Sequence, residues 1–265
     1  LGYYFGINDY IDLKLTSDLF TRGSYRLGIN SNYKKRYKYQ GSININFSKT
    51  KIGEKFRNDF SLNNDFSIKW RHEEDPKLRP NSRFSAAVNI ASSSYSQNNL
   101  YSTDYLQNSL SSNISWNKKW EEKPYNLSLN MRHSQNTLTK QVDLTIPEVN
   151  FTTGRLKIIK DSKKPAIFTN LGFSYSLNSR TLLSRPDSLL FNNLNKNIRS
   201  GIKHTIPLST SFSVLKNINV SPSINYTERW YFRKQTQEWN NNSNEIMIDT
   251  TSGFYQVRDF NLSIN

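Results

Sequence analysis

The sequence has no cysteine, only three histidines, and no run of more than three apolar side chains. The lack of cysteine excludes disulfide scaffolds, zinc ribbons, iron–sulfur clusters and thiol nucleophiles. A transmembrane helix needs about twenty consecutive apolar residues, so none is expected. The chain starts without methionine and shows no signal peptide, which predicts a fragment or a processed chain.

Polar and basic residues are abundant, but aromatic residues are abundant too. Hydrophobic residues make up 35 % of the 265 residues and aromatics 13 %, and 36 Lys and Arg against 21 Asp and Glu give a net charge of +15. A disordered chain is poor in aromatic residues, so this composition argues against disorder.

Apolar and polar side chains alternate along most of the chain. In residues 25–34, for example, Tyr25, Leu27 and Ile29 alternate with polar or small residues, and the same period returns in residues 11–19, 39–47, 66–70 and 125–131. Side chains two apart on a strand share one face of a sheet. No stretch has a helical period, so the sequence predicts an all-β fold of strands with one apolar and one polar face.

The length of the alternating segments favours strands that cross a membrane. They run for about ten to twelve residues, whereas an ordinary globular strand has roughly five to six and a tilted membrane-spanning strand about nine to eleven. Short connections such as residues 36–37 alternate with longer ones, around 49–59, 96–108, 179–197 and 237–245. This arrangement is typical of an outer-membrane β-barrel. A soluble β-sandwich would alternate as well, but with shorter strands and more turns.

We therefore predict an antiparallel transmembrane β-barrel that is partial, with about fourteen long strands in one domain spanning residues 1–265. A sheet in hydrocarbon has to close, because unpaired backbone groups cost several kcal/mol each, and the last strand ends on Asn265 instead of an aromatic residue. Past about residue 136 two interpretations stay open: either Pro147 makes a turn or the strand count is wrong by one.

The first residues resemble a known family. Residues 3–16 (YYFGINDYIDLKLT) and Thr21-Arg22-Gly23 are similar to the start of the barrel in LptD-type lipopolysaccharide-assembly proteins of the outer membrane. Further similarity lies in residues 70–72, 92–95 and 104–107, and the style of residues 226–231 (YTERWY) resembles the Bacteroidetes branch. From this resemblance, we expect the family's periplasmic jellyroll and its closing strands to lie outside this chain.

The resemblance implies a translocon integral to the outer membrane of a Gram-negative cell. Lipopolysaccharide would arrive from a periplasmic LptA-like bridge through the missing N-terminal domain, and an LptE-like lipoprotein would plug the barrel. The lipid chains would enter the surrounding outer-membrane lipid through a lateral gate, while the glycan passes through the lumen. This is transport without bond chemistry, so no enzyme activity, catalytic residue, metal or cofactor is expected.

The basic residues on the polar register are the candidates for the glycan path. Lipopolysaccharide carries phosphates and acidic sugars, and cations in a polar lumen lower the energy of a passing anion. The alternative is that these side chains only solvate the lumen or extend to the rim. The lumen-facing candidates are Lys14, Arg26, Lys34, Lys38, Lys69, Arg71, Arg132 and Lys203.

Tyr3, Tyr4 and Phe5 are the residues of this chain nearest the predicted gate, since they lie on its first strand. The basic and aromatic run at residues 34–39 falls at a turn between strands, which argues against a nucleic-acid site. A porin or a TonB-dependent receptor for small solutes remains one alternative function, and a soluble β-sandwich adhesin is a second.

Overall fold

Strands account for 72 % of the structure, a computed structural model of the chain. It describes residues 1–98, 108–159, 165–190, 192–214, 218–240 and 244–264. In these ranges the α-helices have four residues each. No helix among the described residues has the length and apolar character needed to span a membrane. The all-β prediction is therefore confirmed.

The first nine strands follow one another with few interruptions. They are β1 (Gly2–Asn8), β2 (Ile11–Leu19), β3 (Tyr25–Lys35), β4 (Tyr39–Ile52), β5 (Ser61–Glu74), β6 (Ser82–Ala91), β7 (Ser109–Lys119), β8 (Tyr125–Asn136) and β9 (Gln141–Thr153). The short helix α1 (Tyr95–Asn98) follows β6.

The second part of the chain mixes long strands with short ones. Its strands are β10 (Leu156–Lys157), β11 (Gly172–Phe173), β12 (Ser176–Pro186), β13 (Arg199–Ser209), β14 (Phe212–Val214), β15 (Ile218–Val220), β16 (Pro222–Asn240) and β17 (Glu245–Ile264). Its helices are α2 (Ala166–Thr169), a 3₁₀ helix (Asp187–Leu189) and α3 (Leu194–Asn197).

Fifteen of the strands belong to one sheet, whose order is β1 to β9 in sequence, then β12, β13, β11 and β10, with β16 joining β13 to β17. This agrees with the predicted partial β-barrel of long antiparallel strands. The chain divides into two compact units. Unit 1 comprises Leu1–Trp116, Asn130–Thr145 and Leu183–Asn197, and unit 2 comprises Asn117–Leu129, Ile146–Leu182 and Ile198–Asn265.

In unit 1 the first strands form an antiparallel meander, whose register shifts once between β1 and β2, at Gly6 to Asn8, and is constant from β2 to β6. β3 and β4 pair from Tyr25 opposite Lys49 to Lys35 opposite Tyr39 without a shift. β4 and β5 pair over the full length of both strands. A slip of one residue would move every side chain to the other face, so this pairing fixes which residues share a face.

In unit 2, β13 is the central strand. It pairs with β12 through residues 199–205 and with β16 through residues 201–209. β16 and β17 form a long hairpin whose register shifts once, between Tyr231 and Arg233. β14 and β15 make a separate two-stranded sheet.

Three segments differ from what the sequence pattern predicts. Residues 179–186 are predicted in a loop because they lack regular alternation, but they continue β12, whose backbone pairs with β13 as far as Leu182. The interpretation in which Pro147 makes a turn is wrong, because Pro147 lies inside β9, which is continuous. The segment at 202–214, which alternates as one strand, divides into β13 and β14.

Burial in unit 1 is the reverse of that in a soluble domain. On β5, Asp65 and Ser67 are 0 % and 2 % exposed, whereas Phe66 between them is 43 % exposed. On β4, Phe47 is exposed and Ser48 is buried. At these positions the polar side chains are enclosed and the neighbouring apolar ones are open, whereas Lys14 and Arg71 on the same polar face are exposed. Open apolar faces of this kind indicate a lipid or protein partner.

Replacement of Gly41 by alanine tests the tight pairing between β4 and its neighbours. A Cβ atom there would lie 2.3 Å from the Tyr33 ring and 2.4 Å from the Arg71 backbone carbonyl oxygen. We expect Gly41→Ala to lower the unfolding free energy by about 1–3 kcal/mol, because the backbone of β5 has to shift. Urea unfolding in detergent micelles measures the difference.

Gly6→Ala is the matched control, since a Cβ at that strand position meets nothing within 4 Å. Alanine there should leave the unfolding free energy unchanged or raise it slightly. An equal loss for both variants would show that glycine itself, and not the space around Gly41, determines the effect.

Candidate functional site

Two of the predicted lumen lysines lie on one face of the sheet in unit 1. Lys14 on β2 is opposite Asn30 on β3. Asn44 on β4 is opposite both Asn30 and Lys69 on β5. Directly opposed residues project from the same face, so these four side chains cross the polar face from β2 to β5.

Two predicted arginines extend the same face. Arg71 is two residues from Lys69 on β5 and lies opposite Ser42. Arg26 is opposite Asp18 and Ser48, and its Nη1 is 3.9 Å from Asp18 Oδ2. The polar face therefore carries cations from β2, β3 and β5.

Lys34 and Lys38 are two further candidates, and they differ in position. Lys34 is opposite Gln40 and shares the polar face. Lys38 belongs to the turn between β3 and β4, where its amide N–H donates to the Lys35 carbonyl over 3.0 Å. Strand alternation assigns no face to a turn residue, so the structure places Lys38 apart from the other candidates.

Arg132 lies on β8 and lines a hollow of about 580 Å³ in unit 1. Ala87, Asn113 and Asp143 line the same hollow. Ala87 is opposite Arg71, which connects the hollow with the polar face of the meander.

Lys203 lies in unit 2, on β13, opposite Asn178 and Arg229. Two cations directly opposite each other are unfavourable unless an anion is near. The Asp259 carboxylate supplies such an anion to Arg229, with which it forms an ion pair. This part of the sheet therefore presents a second basic position on a polar register.

Asparagine side chains connect the strands between the cations. The Asn44 amide donates to the Asn30 side-chain oxygen, and the Asn46 amide donates to Asn44 Oδ1 over 2.6 Å. Two residues beyond Asn30 on β3, the Asn32 backbone N–H donates to Asp12 Oδ1 over 2.7 Å. Amide and hydroxyl groups of this kind suit the hydroxyl groups of a sugar as well as water.

A segment after β6 folds onto the polar face, which the sequence did not predict. The buried Asp65 carboxylate accepts hydrogen bonds from Ser92 Oγ (2.9 Å), from Ser94 Oγ, and from the Asn98 amide (2.8 Å). Asp65 is opposite Ser48 on the polar face. Residues 92–98 are thereby fixed against that face.

Further contacts hold the same segment. Ser93 Oγ donates to Asp187 Oδ2 over 2.5 Å and accepts from the Gln135 amide over 3.2 Å. Tyr95 is buried against Ala91 and Leu110. Residues 92–95 are among those that carry the family resemblance, which by itself implies no structural role for them. Residues 104–107, which carry it as well, lie outside the described ranges.

The predicted gate residues lie on β1, which pairs only with β2 among the described strands. Tyr3 and Phe5 are opposite Leu15 and Leu13 on the apolar face, and their ring centroids are 4.3 Å apart. Tyr4 is opposite Lys14 and so belongs to the polar face. The whole strand is exposed to solvent, which leaves its second edge available for pairing.

The three histidines each bond to a hydroxyl group. Nδ1 of His72 is 2.8 Å from Tyr33 Oη, and Nδ1 of His204 is 2.8 Å from Tyr175 Oη. Nδ1 of His133 is 3.2 Å from Oγ of Ser112 on β7. Within the described ranges, no three His, Asp or Glu side chains come close enough to hold a metal ion.

Replacement of Asp65 by alanine tests the folded segment on the polar face. The change leaves the hydroxyls of Ser92 and Ser94 and the amide of Asn98 without their acceptor, so we expect the unfolding free energy to fall by about 1–3 kcal/mol. We also expect faster chymotrypsin cleavage after Tyr95. The exposed Asp9 in the β1–β2 turn supplies the control, Asp9→Ala, which should change neither quantity. Unchanged cleavage in Asp65→Ala would show that this carboxylate does not hold the segment.

Comparison with known proteins places these features in a family. No curated protein matches the chain. The model of the family described as LptD protein matches residues 1–265, which is the whole chain. The match gives no branch, so the Bacteroidetes assignment stays a prediction. The alternating strands, the basic residues on their polar face and this match lead to one conclusion: the chain belongs to the LptD family of outer-membrane proteins that take part in lipopolysaccharide transport.

Proposed function

We propose that the polar face of unit 1 is the path of the lipopolysaccharide glycan and that the protein inserts lipopolysaccharide into the outer leaflet. The observation that carries the proposal is the reversed burial at Phe47 and Ser48 on β4 and at residues 65–67 on β5, where polar side chains are enclosed and the apolar ones beside them are exposed. A channel in a membrane needs this arrangement, because water or glycan lies on one side of the sheet and lipid on the other.

The charges on this face fit an acidic glycan. Lys14, Lys69 and Arg71 project from one face, and their positive charges attract anionic ligands. The carboxylates of Asp18 and Asp65 lie on the same face, where Asp18 pairs with Arg26 and Asp65 accepts hydrogen bonds from residues 92–98. The asparagine side chains between the cations offer donors and acceptors to sugar hydroxyls. Phosphates and sugars of lipopolysaccharide need both kinds of group.

The edge strand β1 supports the lateral exit of the lipid part. Its Tyr3 and Phe5 extend the apolar face, while Tyr4 lies on the polar face beside Lys14. A molecule with a polar glycan and an apolar lipid would meet both surfaces at this strand. An LptE-like plug and an LptA-like bridge belong to the proposal through the family resemblance.

The first experiment is photocross-linking in cells. A photoreactive side chain at position 14 or 69 should give lipopolysaccharide adducts, because both positions lie on the polar face. Positions 13 and 68 are the matched controls, since each is a direct neighbour on the opposite face and should give none. Immunoblotting for lipopolysaccharide detects the adducts.

Two other outcomes of this experiment have a clear meaning. Adducts at positions 13 and 68 alone would reverse the assignment of the faces. Adducts at none of the four positions, in a protein that still reaches the outer membrane, would contradict the glycan path and favour a barrel for small solutes.

The charge itself is tested in a transport assay. We expect the double variant Lys69→Gln, Arg71→Gln to slow delivery of lipopolysaccharide to acceptor vesicles on the order of tenfold, because the attraction for the anionic glycan is lost. The charge-conserving variant Lys69→Arg, Arg71→Lys should keep most of the rate. High salt should reduce the difference, since it screens the charges. Equal rates in all three proteins at low salt would exclude an electrostatic role for these residues.

A further inference from the structure

Cations stacked on aromatic rings occur at one edge of the sheet in unit 1, the edge of the β1–β2, β3–β4 and β5–β6 turns. Lys35 Nζ is 5.0 Å from the centre of the Tyr10 ring. Arg36 Cζ and Lys77 Nζ are 4.8 and 5.2 Å from the centre of the Tyr37 ring. We call these five residues the basic–aromatic rim. A similar pair, Lys118 over Trp120, lies at the end of β7 in unit 2.

The turn between β3 and β4 is built to display Tyr37. Its φ angle is +61°, the left-handed conformation that few non-glycine residues adopt. The Tyr37 side chain is half exposed, between Arg36 and Lys77. Two cations on one open ring make a compact positive site at the surface of the turn.

The acidic groups next to the rim are already engaged. Glu73 Oε1 accepts from Arg83 over 2.8 Å, and Glu74 Oε2 accepts from the Phe84 amide over 2.8 Å. Asp75 Oδ1 accepts from the Lys77 amide over 2.9 Å. Among the described residues, none of the three rim cations forms an ion pair with these carboxylates, which line the same hollow as Lys35 and Arg36.

A layer of aromatic side chains lies directly inside the rim on the apolar face. Trp70 Nε1 donates to Tyr33 Oη over 2.9 Å, and Tyr33 Oη is bonded to His72 Nδ1. Tyr39 stacks on His72 with the ring centres 6.0 Å apart. Polar aromatic rings of this kind prefer the boundary between headgroups and hydrocarbon.

Exposed aliphatic side chains follow behind the aromatic layer. Leu27 and Ile29 lie on β3 on the same face as Tyr33 and Lys35, and both are exposed. From the turn inward, this face therefore presents cations, then hydrogen-bonded aromatics, then aliphatic groups. A phospholipid has the same order: phosphate, glycerol ester and acyl chain.

We propose that the basic–aromatic rim binds the phosphate of an anionic phospholipid, whose acyl chains lie along the apolar face of β3 to β5. Two turns of the rim are short, residues 9–10 and 36–38, whereas residues 53–60 form a longer connection at the opposite edge. Outer-membrane barrels carry short turns on the periplasmic side. The leaflet on that side consists of phospholipid. The site thus holds a resident lipid of the membrane, which is distinct from the transported molecule.

The test is lipid retention by the full-length protein. Micelles doped with equal amounts of phosphatidylglycerol and phosphatidylcholine are stripped of free lipid, and native mass spectrometry counts the bound molecules. Wild-type protein should retain phosphatidylglycerol in preference to phosphatidylcholine. Each rim cation replaced by glutamine should weaken retention about fivefold, because one basic residue near an anionic surface contributes that factor. The triple variant Lys35→Gln, Arg36→Gln, Lys77→Gln should lose the preference.

Lys34→Gln is the matched control. Lys34 is the direct neighbour of Lys35 but lies on the polar face, opposite Gln40. It should keep the preference for phosphatidylglycerol, as should the triple variant with the charge-conserving changes Lys35→Arg, Arg36→Lys, Lys77→Arg. The control also separates this site from the glycan path, because a failure of lipopolysaccharide transport in Lys34→Gln leaves lipid retention unaffected.

Three outcomes would overturn the proposal. Undiminished preference in the triple glutamine variant would show that the rim does not bind the phosphate. An equal loss in Lys34→Gln would show that net charge alone determines retention. If the triple variant keeps phosphatidylglycerol but releases an accessory protein that wild type holds, the rim is a protein-docking surface.

Discussion

The period of two along paired strands is the constraint on which this structure depends. Backbone groups in β3, β4 and β5 pair with one another over the full length of the strands, so each side chain has only two directions. In a soluble domain the apolar direction is enclosed, whereas here Asp65 and Ser67 are enclosed and Phe66 is open. The sheet therefore separates two environments, and each strand contributes to both surfaces.

The same constraint explains how much the sequence alone could predict. Alternation predicts a common face for Lys14, Lys69 and Arg71, and the three residues share a face of the sheet because the register between β2 and β5 has no shift at these positions. It failed for residues 179–186, which form a strand without a regular apolar period. The Arg180 side chain in this strand pairs with the buried Glu148 at 2.9 Å, and such a pair between strands leaves no signal in a local pattern.

The Asp65 contacts were also beyond sequence analysis, for a different reason. They join residues distant in the chain: Ser93 and Asp187, which extend the same cluster, are 94 positions apart. Neither the serines at 92–94 nor Asp65 stands out in a polar sequence. A carboxylate becomes conspicuous only when its enclosure is known, since a buried acceptor of three hydrogen bonds costs energy if its donors are absent.

Lys34 and Lys35 show what this architecture means for the history of the sequence. The two lysines are chemically identical neighbours, yet one lies opposite Gln40 and the other opposite Tyr39. Deletion of a single residue within β3 would exchange their roles and those of every side chain beyond the deletion. Drift in such a protein is therefore expected to proceed by substitution inside the strands, while insertions and deletions accumulate in the connections between them.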